Sequence, residues 1–332
     1  MSLPVARPTV YITRKIPDPA IALLTESLDV SVWPEEDEAV PRDVLIREVK
    51  GVDGLLCVLT EKVDRELLDA APRLKIVANM AVGYDNIDVG SCTKRGILVT
   101  NTPDVLTDAT ADLAFALLLA TARRLPEARD FLLKGQWKTW SPMLLTGKEV
   151  HGATLGIVGM GRIGQAVAKR ARGFDMKVLY YSKRRNPQVE EEIGARYVDK
   201  ETLLRESDYV SLHLPLTPET RGFIGERELR MMKPTAVLIN TARGAVVDER
   251  ALCKALMEGW IWAAGLDVFE VEPLPVDSPL RTLPNVVLLP HIGSATVKTR
   301  TDMALLAARN IRDYLVTGRV HTPVNPEVIQ RY

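Results

Sequence analysis

Short apolar segments alternate with helical patterns along almost the whole chain. The segments are rich in β-branched residues, and most are followed by a helical stretch before the next segment begins. Parallel strands need such crossovers, and strands buried on both faces are apolar throughout. The pattern predicts an α/β protein whose parallel sheets carry helices on both faces. The predicted strands form two series: Thr9–Thr13, Asp29–Trp33, Gly54–Leu59, Lys75–Asn79 and Ile97–Asn101, then Thr154–Val158, Lys177–Tyr181, Asp208–Leu212, Thr235–Asn240, Ala263–Asp267 and Val286–Leu289.

The length and net charge of the chain exclude several classes of protein. The 332 residues suffice for about two domains, and 43 basic residues are balanced by 43 acidic ones. General nucleic-acid binders and polybasic membrane binders need a net basic surface, so neither partner is expected. The chain shows neither a signal-peptide pattern nor an apolar run of about 20 residues. We therefore expect a cytoplasmic protein.

The predicted helix between the two series, Leu113–Ala122, is apolar on every face. Such a helix must be buried on all sides. Its position favours a spine between domains or an interface between subunits, and a plain core helix is the alternative.

A glycine-rich turn opens the second series. The turn reads GMGRIG, follows the predicted strand Thr154–Val158 and opens a helix. This is the context of a dinucleotide-binding unit, in which the helix N-terminus receives the pyrophosphate. Gly159 allows the tight turn, Gly161 allows close approach of the phosphates, and Gly164 allows the helix to pack on the strand. A tight turn without a ligand is the alternative.

The residues after the next strand bear on which dinucleotide binds. NAD-type sites carry an acid there that binds the ribose 2′-hydroxyl, whereas this chain has Ser182, Lys183, Arg184 and Arg185, with no acid before Glu190. Serine and basic side chains can bind a 2′-phosphate. The sequence predicts NADPH as the preferred coenzyme, with NADH possible, and a solvated basic loop is the alternative.

Three ionisable residues follow later strands, at the edge where open α/β sheets bind ligands. They are Arg243, Glu272 and His291, and His213 is the alternative histidine because it also ends a strand. The histidine spacings give no metal-ligand motif, so no metal site is expected.

These three residue types match the transfer of hydride from a nicotinamide to a 2-keto acid. The guanidinium of Arg243 can hold the substrate carboxylate and polarise the ketone. His291 can protonate the forming alkoxide, and the carboxylate of Glu272 favours the protonated imidazole.

Four motifs together resemble the D-2-hydroxyacid dehydrogenase family over nearly the whole chain. They are the glycine-rich turn, NTARG at 240–244, GLDVF at 265–269 followed by Glu272-Pro273, and PHIGS at 290–294. Within the family, residues 82–88, 135–142 and 291–296 are similar to the glyoxylate/hydroxypyruvate reductases.

The resemblance implies a Rossmann dinucleotide-binding domain, residues 103–289, inserted in a flavodoxin-like substrate-binding domain, residues 1–102 and 290–332. Both domains would be doubly wound parallel sheets. Homodimers are usual in the family, and Trp140 would reach the active site of the neighbouring subunit.

The same resemblance implies that Arg243, Glu272 and His291 are the catalytic set. It implies that the backbone at Val82 and Gly83 binds the substrate carboxylate. The implied coenzyme contacts are Gly159, Gly161, Arg162, Ile163, Gly164, Ser182, Lys183, Arg184, Thr241, Ala242, Arg243 and Asp267, the last near the nicotinamide amide.

The implied activity is reduction of glyoxylate to glycolate or of hydroxypyruvate to D-glycerate. D-lactate dehydrogenases and broader 2-keto-acid reductases remain alternatives, as do corepressor-like scaffolds of the same fold. Formate dehydrogenases carry glutamine where this chain has Glu272. Phosphoglycerate dehydrogenases commonly carry the ribose-binding acid that is missing here.

Overall fold

A computed structural model describes residues 6–331, so residues 1–5 and 332 of the predicted substrate-binding domain lie outside it. The chain divides into two compact units, one from the N-terminus to Leu106 together with Ala295 onward, the other Thr107–Ser294. The boundaries predicted at 102 and 290 lie a few residues before these divisions. No helix within residues 6–331 is both long enough and apolar enough to cross a membrane.

The first unit contains a five-stranded, all-parallel sheet. Its elements in chain order are β1 (Thr9–Ile12), α1 (Asp18–Thr25), β2 (Asp29–Val32), α2 (Arg42–Glu48), β3 (Gly54–Cys57), α3 (Arg65–Asp69), β4 (Ile76–Asn79), α4 (Val89–Lys94), β5 (Leu98–Thr100) and, from the end of the chain, α12 (Val297–Thr317). The strand order is β2-β1-β3-β4-β5, the flavodoxin-like order.

The second unit contains a seven-stranded, all-parallel sheet. Its elements are α5 (Thr107–Ala122), α6 (Leu125–Leu133), β6 (Thr154–Val158), α7 (Arg162–Arg172), β7 (Lys177–Tyr181), α8 (Pro187–Ile193), β8 (Arg196–Tyr197), α9 (Lys200–Glu206), β9 (Tyr209–Leu212), α10 (Glu226–Met231), β10 (Val237–Asn240), α11 (Glu249–Met257), β11 (Ala263–Leu266) and β12 (Val286–Leu288). The order β12-β11-β10-β9-β6-β7-β8 turns outward in both directions from β6 and is that of a Rossmann sheet. The predicted fold class is confirmed.

Local sequence signals explain where many helices begin and end. Helices α3, α4, α9 and α11 each begin after an aspartate whose side chain accepts an N–H of the first turn. Helix α12 begins after Thr296, which caps Thr299, and ends at Gly318 in the left-handed conformation. These caps satisfy N–H groups at the ends of the helices that connect the buried strands.

Every predicted strand is present, but the two-residue strand β8 and helices α4, α6 and α8 were not predicted. Helix α4 has the sequence VGSCTK, which consists mainly of poor helix formers, and helix α8 buries only Val189 and Ile193. Helix α6 has no buried residue, and therefore has no core-facing stripe that a pattern could reveal.

Helix α5 is longer than predicted and is not buried on all sides. It begins at Thr107, and eight of its residues are buried. Ala116 is exposed, while Leu113, Leu119 and Ala120 are half-buried. The helix packs on α7, β10 and β11, so one apolar stripe, defined by these four residues, is left without full cover within the chain.

Asn325 fastens the C-terminal segment to β5. Its Oδ1 accepts the N–H of Val99 at 2.7 Å, and its Nδ2 donates to the Ile97 carbonyl at 3.0 Å and to Thr93 Oγ1 at 2.9 Å. The residue is 1% exposed. Removing this side chain leaves buried polar groups without partners, and each such group lowers the stability of the fold by its desolvation penalty.

We expect Asn325→Ala to lower the free energy of unfolding by about 2–3 kcal/mol, because two buried hydrogen bonds and one partly buried hydrogen bond are lost together. Calorimetry measures the shift. The control is Gln136→Ala, which removes an exposed amide and is expected to stay within about 0.5 kcal/mol of the parent. An equal effect of both variants would contradict the anchoring role.

Candidate active site

The glycine-rich turn after β6 has the close contacts that glycine permits. Gly159 has φ of +99°, and a Cβ there would lie 2.6 Å from the carbonyl oxygen of His213. A Cβ at Gly164 would lie 2.2 Å from the Gly159 carbonyl oxygen. By contrast, a Cβ at Gly161 would have no atom within 4 Å. At Gly159 and Gly164 the turn therefore packs against protein backbone too closely for a side chain, whereas at Gly161 there is space for a ligand.

No side chain caps the N-terminus of α7. The N-cap position is occupied by Gly161, which has no side-chain acceptor, and the first turn contains no acid. The first N–H groups of a helix have no partner within the helix, and together with the helix dipole they attract an anion. The predicted residues Arg162 and Ile163 begin this helix, the first exposed and the second half-buried. These features fit the pyrophosphate of a dinucleotide.

The basic segment after β7 divides into two parts. Arg185 forms two hydrogen bonds with the carboxylate of Glu190, at 2.8 and 2.7 Å. The hydroxyl of Tyr180 donates to the same carboxylate at 2.6 Å, and the Arg185 and Tyr180 bonds lower the pKa of Glu190 to about 2. Arg185 is therefore engaged locally, whereas Lys183 and Arg184 are exposed beside the half-buried Ser182.

The turn after β10 brings a buried hydroxyl to the same edge of the sheet. The Asn240 side chain holds the turn: its Oδ1 accepts the N–H of Ala242 at 3.1 Å, and its Nδ2 donates to the carbonyl of Arg243 at 2.9 Å. The hydroxyl of Thr241 is buried and has no hydrogen-bond partner within residues 6–331. A buried polar group without a partner is a place where a ligand can bind.

Glycine at position 244 lets the Arg243 turn pack on the segment that carries Glu272. A Cβ on Gly244 would lie 1.8 Å from the carbonyl carbon of Phe269. The N–H of Phe269 in turn donates to Glu272 Oε1 at 3.0 Å. The positive charge of Arg243 acts on Glu272 and contributes to lowering its pKa. Two of the three predicted catalytic residues are thus electrostatically coupled.

His291 and Glu272 form a direct pair. The Nδ1 atom of His291 lies 2.6 Å from Glu272 Oε2, and the two side chains are 28% and 35% exposed. Burial alone would raise the pKa of Glu272, but the hydrogen bond and charge of His291 outweigh it, so the pKa lies below its ordinary value. Nδ1 is taken by the carboxylate, which leaves Nε2 as the nitrogen that can exchange a proton with a substrate.

Asp267 holds the backbone of the histidine turn. His291 has φ of +54°, a conformation that costs a non-glycine residue on the order of 1 kcal/mol. The N–H of His291 donates to the Asp267 carbonyl at 2.9 Å. The N–H groups of Ile292 and Gly293 donate to the two carboxylate oxygens, both at 2.8 Å. These bonds keep the turn, and with it the imidazole, in one orientation.

The surroundings of Asp267 are unusual for an acid. The residue is fully buried, and this burial raises its pKa, although the bonds from Ile292 and Gly293 act in the opposite direction. The resemblance places Asp267 near the nicotinamide amide. Sequence reasoning missed its second task as a clamp on the histidine turn, since no local pattern links residue 267 with residue 292.

His213, the alternative acid, lies in a different environment. Its Nε2 is 2.8 Å from Ser211 Oγ, and burial lowers its pKa to about 4. This side-chain partner is a hydroxyl and not a carboxylate, so it does not stabilise the imidazolium form. The geometry favours His291 over His213.

The remaining predicted residues lie elsewhere in the chain. Val82 and Gly83 belong to the first unit, in the loop after β4. Trp140 lies in the second unit, between α6 and β6, and is 76% exposed. Sequence reasoning also missed Asn240 and Gly244, whose signal was their position in the NTARG motif beside Arg243.

Comparisons with known proteins match this geometry. The family sequence model described as D-isomer specific 2-hydroxyacid dehydrogenase, NAD binding domain, matches residues 115–293. A glyoxylate reductase of Thermococcus litoralis is 59% identical over 309 residues, covering 92% of this chain and 93% of the relative. A glyoxylate reductase of Thermococcus kodakarensis is 58% identical over 328 residues, covering 98% of each chain.

A solved structure is similar over nearly the whole chain. The NADPH-dependent glyoxylate/hydroxypyruvate reductase of Sinorhizobium meliloti, in complex with NADP and malonate, superposes with a TM-score of 0.83 at 38% identity. The match covers 96% of this chain and 97% of that one. Sequence motifs, fold and comparisons agree: the chain belongs to the D-isomer specific 2-hydroxyacid dehydrogenase family.

Proposed function

We propose that this protein is an NADPH-preferring reductase of small 2-keto acids, converting glyoxylate to glycolate and hydroxypyruvate to D-glycerate. The observation that carries the proposal is the 2.6 Å pair of His291 and Glu272 beside Arg243. A proton donor, its carboxylate partner and a guanidinium are the groups that ketone reduction requires. The glyoxylate reductases similar to this chain support the choice of substrate.

The mechanism assigns one task to each of the three side chains. When bound, the nicotinamide coenzyme supplies hydride to C2 of the keto acid. Arg243 binds the substrate carboxylate and draws electron density from the ketone. His291 donates the Nε2 proton to the carbonyl oxygen as it becomes an alkoxide. Glu272 orients that imidazole by binding its Nδ1 atom.

The coenzyme would bind along the carboxyl edge of the seven-stranded sheet. The uncapped N-terminus of α7 would receive the pyrophosphate. Ser182, Lys183 and Arg184 would hold the 2′-phosphate, since Arg185 already pairs with Glu190. The unpartnered hydroxyl of Thr241 fits a polar contact with the coenzyme.

The substrate-binding and dimer roles complete the proposal. The backbone amides of Val82 and Gly83 would bind the substrate carboxylate. A homodimer would cover the exposed stripe of α5 and the exposed Leu132 and Leu133 of α6. The exposed Trp140 would then contact the active site of the partner.

The coenzyme preference is tested with Ser182→Asp combined with Arg184→Ala. We expect the NADPH/NADH ratio of kcat/KM to exceed one in the parent and to fall roughly 10- to 100-fold, because a charge-assisted contact is replaced by a repulsive carboxylate. Arg172→Ala, an exposed arginine at the other end of α7, is the control and should leave the ratio unchanged. A parent ratio near one would refute the preference.

The proton donor is tested with His291→Ala. The rate constant kcat should fall by about 10²- to 10⁴-fold while NADPH binding, followed by its fluorescence, survives. His151→Ala removes a comparable but exposed histidine–aspartate pair, 3.0 Å from Asp175, and should keep full activity. Full activity of His291→Ala combined with inactivity of His213→Ala would reassign the acid.

The role of Glu272 is tested by the pH dependence of Glu272→Gln. Because its pKa is lowered, the carboxylate is charged at neutral pH and the pair is lost only as the pH falls through that lowered pKa. Glutamine carries no charge and does not titrate, so kcat for reduction should be lower at neutral pH and should lose the fall that the parent shows as the pH drops through that pKa. A loss of kcat by the same factor at every pH would contradict this role.

A panel of 2-keto acids tests the substrate class. Glyoxylate and hydroxypyruvate should give higher kcat/KM than pyruvate with NADPH. Higher kcat/KM with pyruvate or bulkier keto acids would favour a D-lactate or broader dehydrogenase. Coenzyme binding without turnover of any keto acid would favour a scaffold.

A further inference from the structure

The loop after β4 presents two consecutive backbone N–H groups without a protein acceptor. These are the N–H groups of Val82 and Gly83, which find no hydrogen-bond partner among residues 6–331. The carbonyl groups around them are all engaged. The carbonyls of Ala81, Val82 and Gly83 accept hydrogen bonds from Thr102 N–H, Asn101 Nδ2 and Asn79 Nδ2, each at 2.8 Å.

Peptide geometry lets two of these bonds set the direction of the two N–H groups. In a trans peptide the C=O of one residue and the N–H of the next lie in one plane and point in opposite directions. Asn101, by holding the Val82 carbonyl, therefore sets the direction of the Gly83 N–H. The N–H of Thr102 sets the direction of the Val82 N–H in the same way, through the Ala81 carbonyl.

Both asparagine side chains reach carbonyls of this loop because of where their strands end. Asn79 is the last residue of β4 and is fully buried. Asn101 directly follows β5, which pairs in parallel with β4. The carboxyl ends of both strands therefore meet at one edge, next to the loop. The loop is also fastened at Asn86, whose Oδ1 accepts a bond from Asn79 Nδ2 at 3.1 Å.

Asn101 is itself held by the C-terminal segment. The hydroxyl of Thr322 donates to the Asn101 carbonyl at 2.6 Å. Asn310 of α12, fully buried, donates to that hydroxyl at 2.8 Å. The base of the Asn101 side chain is thus fixed from the side of α12, and the residue can keep its amide on one carbonyl.

We infer that Asn101 is a positioning residue that aims the Gly83 amide, beside the Val82 amide, at the carboxylate of the substrate. The inference rests on the proposed function, because it takes a 2-keto acid as the ligand. Asn101 acts through the plane of the Val82–Gly83 peptide, whose carbonyl it holds. Asn79 holds the next carbonyl, that of Gly83, and so fastens the end of this loop segment.

The test compares a charged with an uncharged substrate in Asn101→Ala. Glyoxylate carries the carboxylate and methyl glyoxylate does not, so the ratio of their kcat/KM values reports on carboxylate recognition. We expect the ratio to fall roughly 3- to 10-fold, the effect of one hydrogen bond, mainly through KM for glyoxylate. The Kd for NADPH should not change. Asn101→Asp is made in parallel because it keeps the size of the side chain but cannot donate to the Val82 carbonyl, and the same fall is expected.

Asn285→Ala is the matched control. The Asn285 side chain also donates to two backbone carbonyls, those of Leu256 and Trp262, but in the second unit. Its loss should leave the ratio unchanged. A parent enzyme that prefers glyoxylate, with both Asn101 variants keeping the parent ratio, would overturn the role of Asn101 and leave the proposed function standing. A parent that turns over neither compound would overturn the proposed function.

Discussion

Parallel strand pairing is the constraint on which the rest of this structure depends. It places the carboxyl ends of all strands of a sheet at one edge, so residues far apart in the chain become neighbours. In the second unit this edge brings together the glycine-rich turn after β6, the Arg243 turn after β10 and the Asp267 segment after β11. In the first unit the same rule brings Asn79 and Asn101 to one loop.

Backbone contacts then convert that neighbourhood into a defined geometry. The Arg243 turn packs on the backbone of Phe269 because position 244 has no side chain. Asp267 accepts three N–H bonds from the turn that carries His291 and thereby holds a left-handed conformation. In both places the backbone that carries a predicted catalytic side chain is held by a neighbouring segment, and such support is what a precise site needs.

The sequence predicted much of this because its signals are local and strong. The β-branched runs identified the strands, and the glycine-rich turn identified the helix that follows β6. The weak point was the apolar helix α5: its composition predicted burial on all sides, yet Ala116 is exposed within the chain. The apolar composition of a helix indicates that its surface will be buried, but it does not indicate whether the same chain or a second chain buries it.

The sequence by itself determined the fold class, the order of most strands and helices, and the residue types at the strand ends, because these follow from patterns over a few neighbouring residues. Only the tertiary structure decided which ends meet and which atoms are used. It placed His291 against Glu272, Ile292 on Asp267 and Thr322 on Asn101. These outcomes depend on distances between residues that are separated by 19 to 221 positions in the chain, and the packing of strands and helices sets those distances.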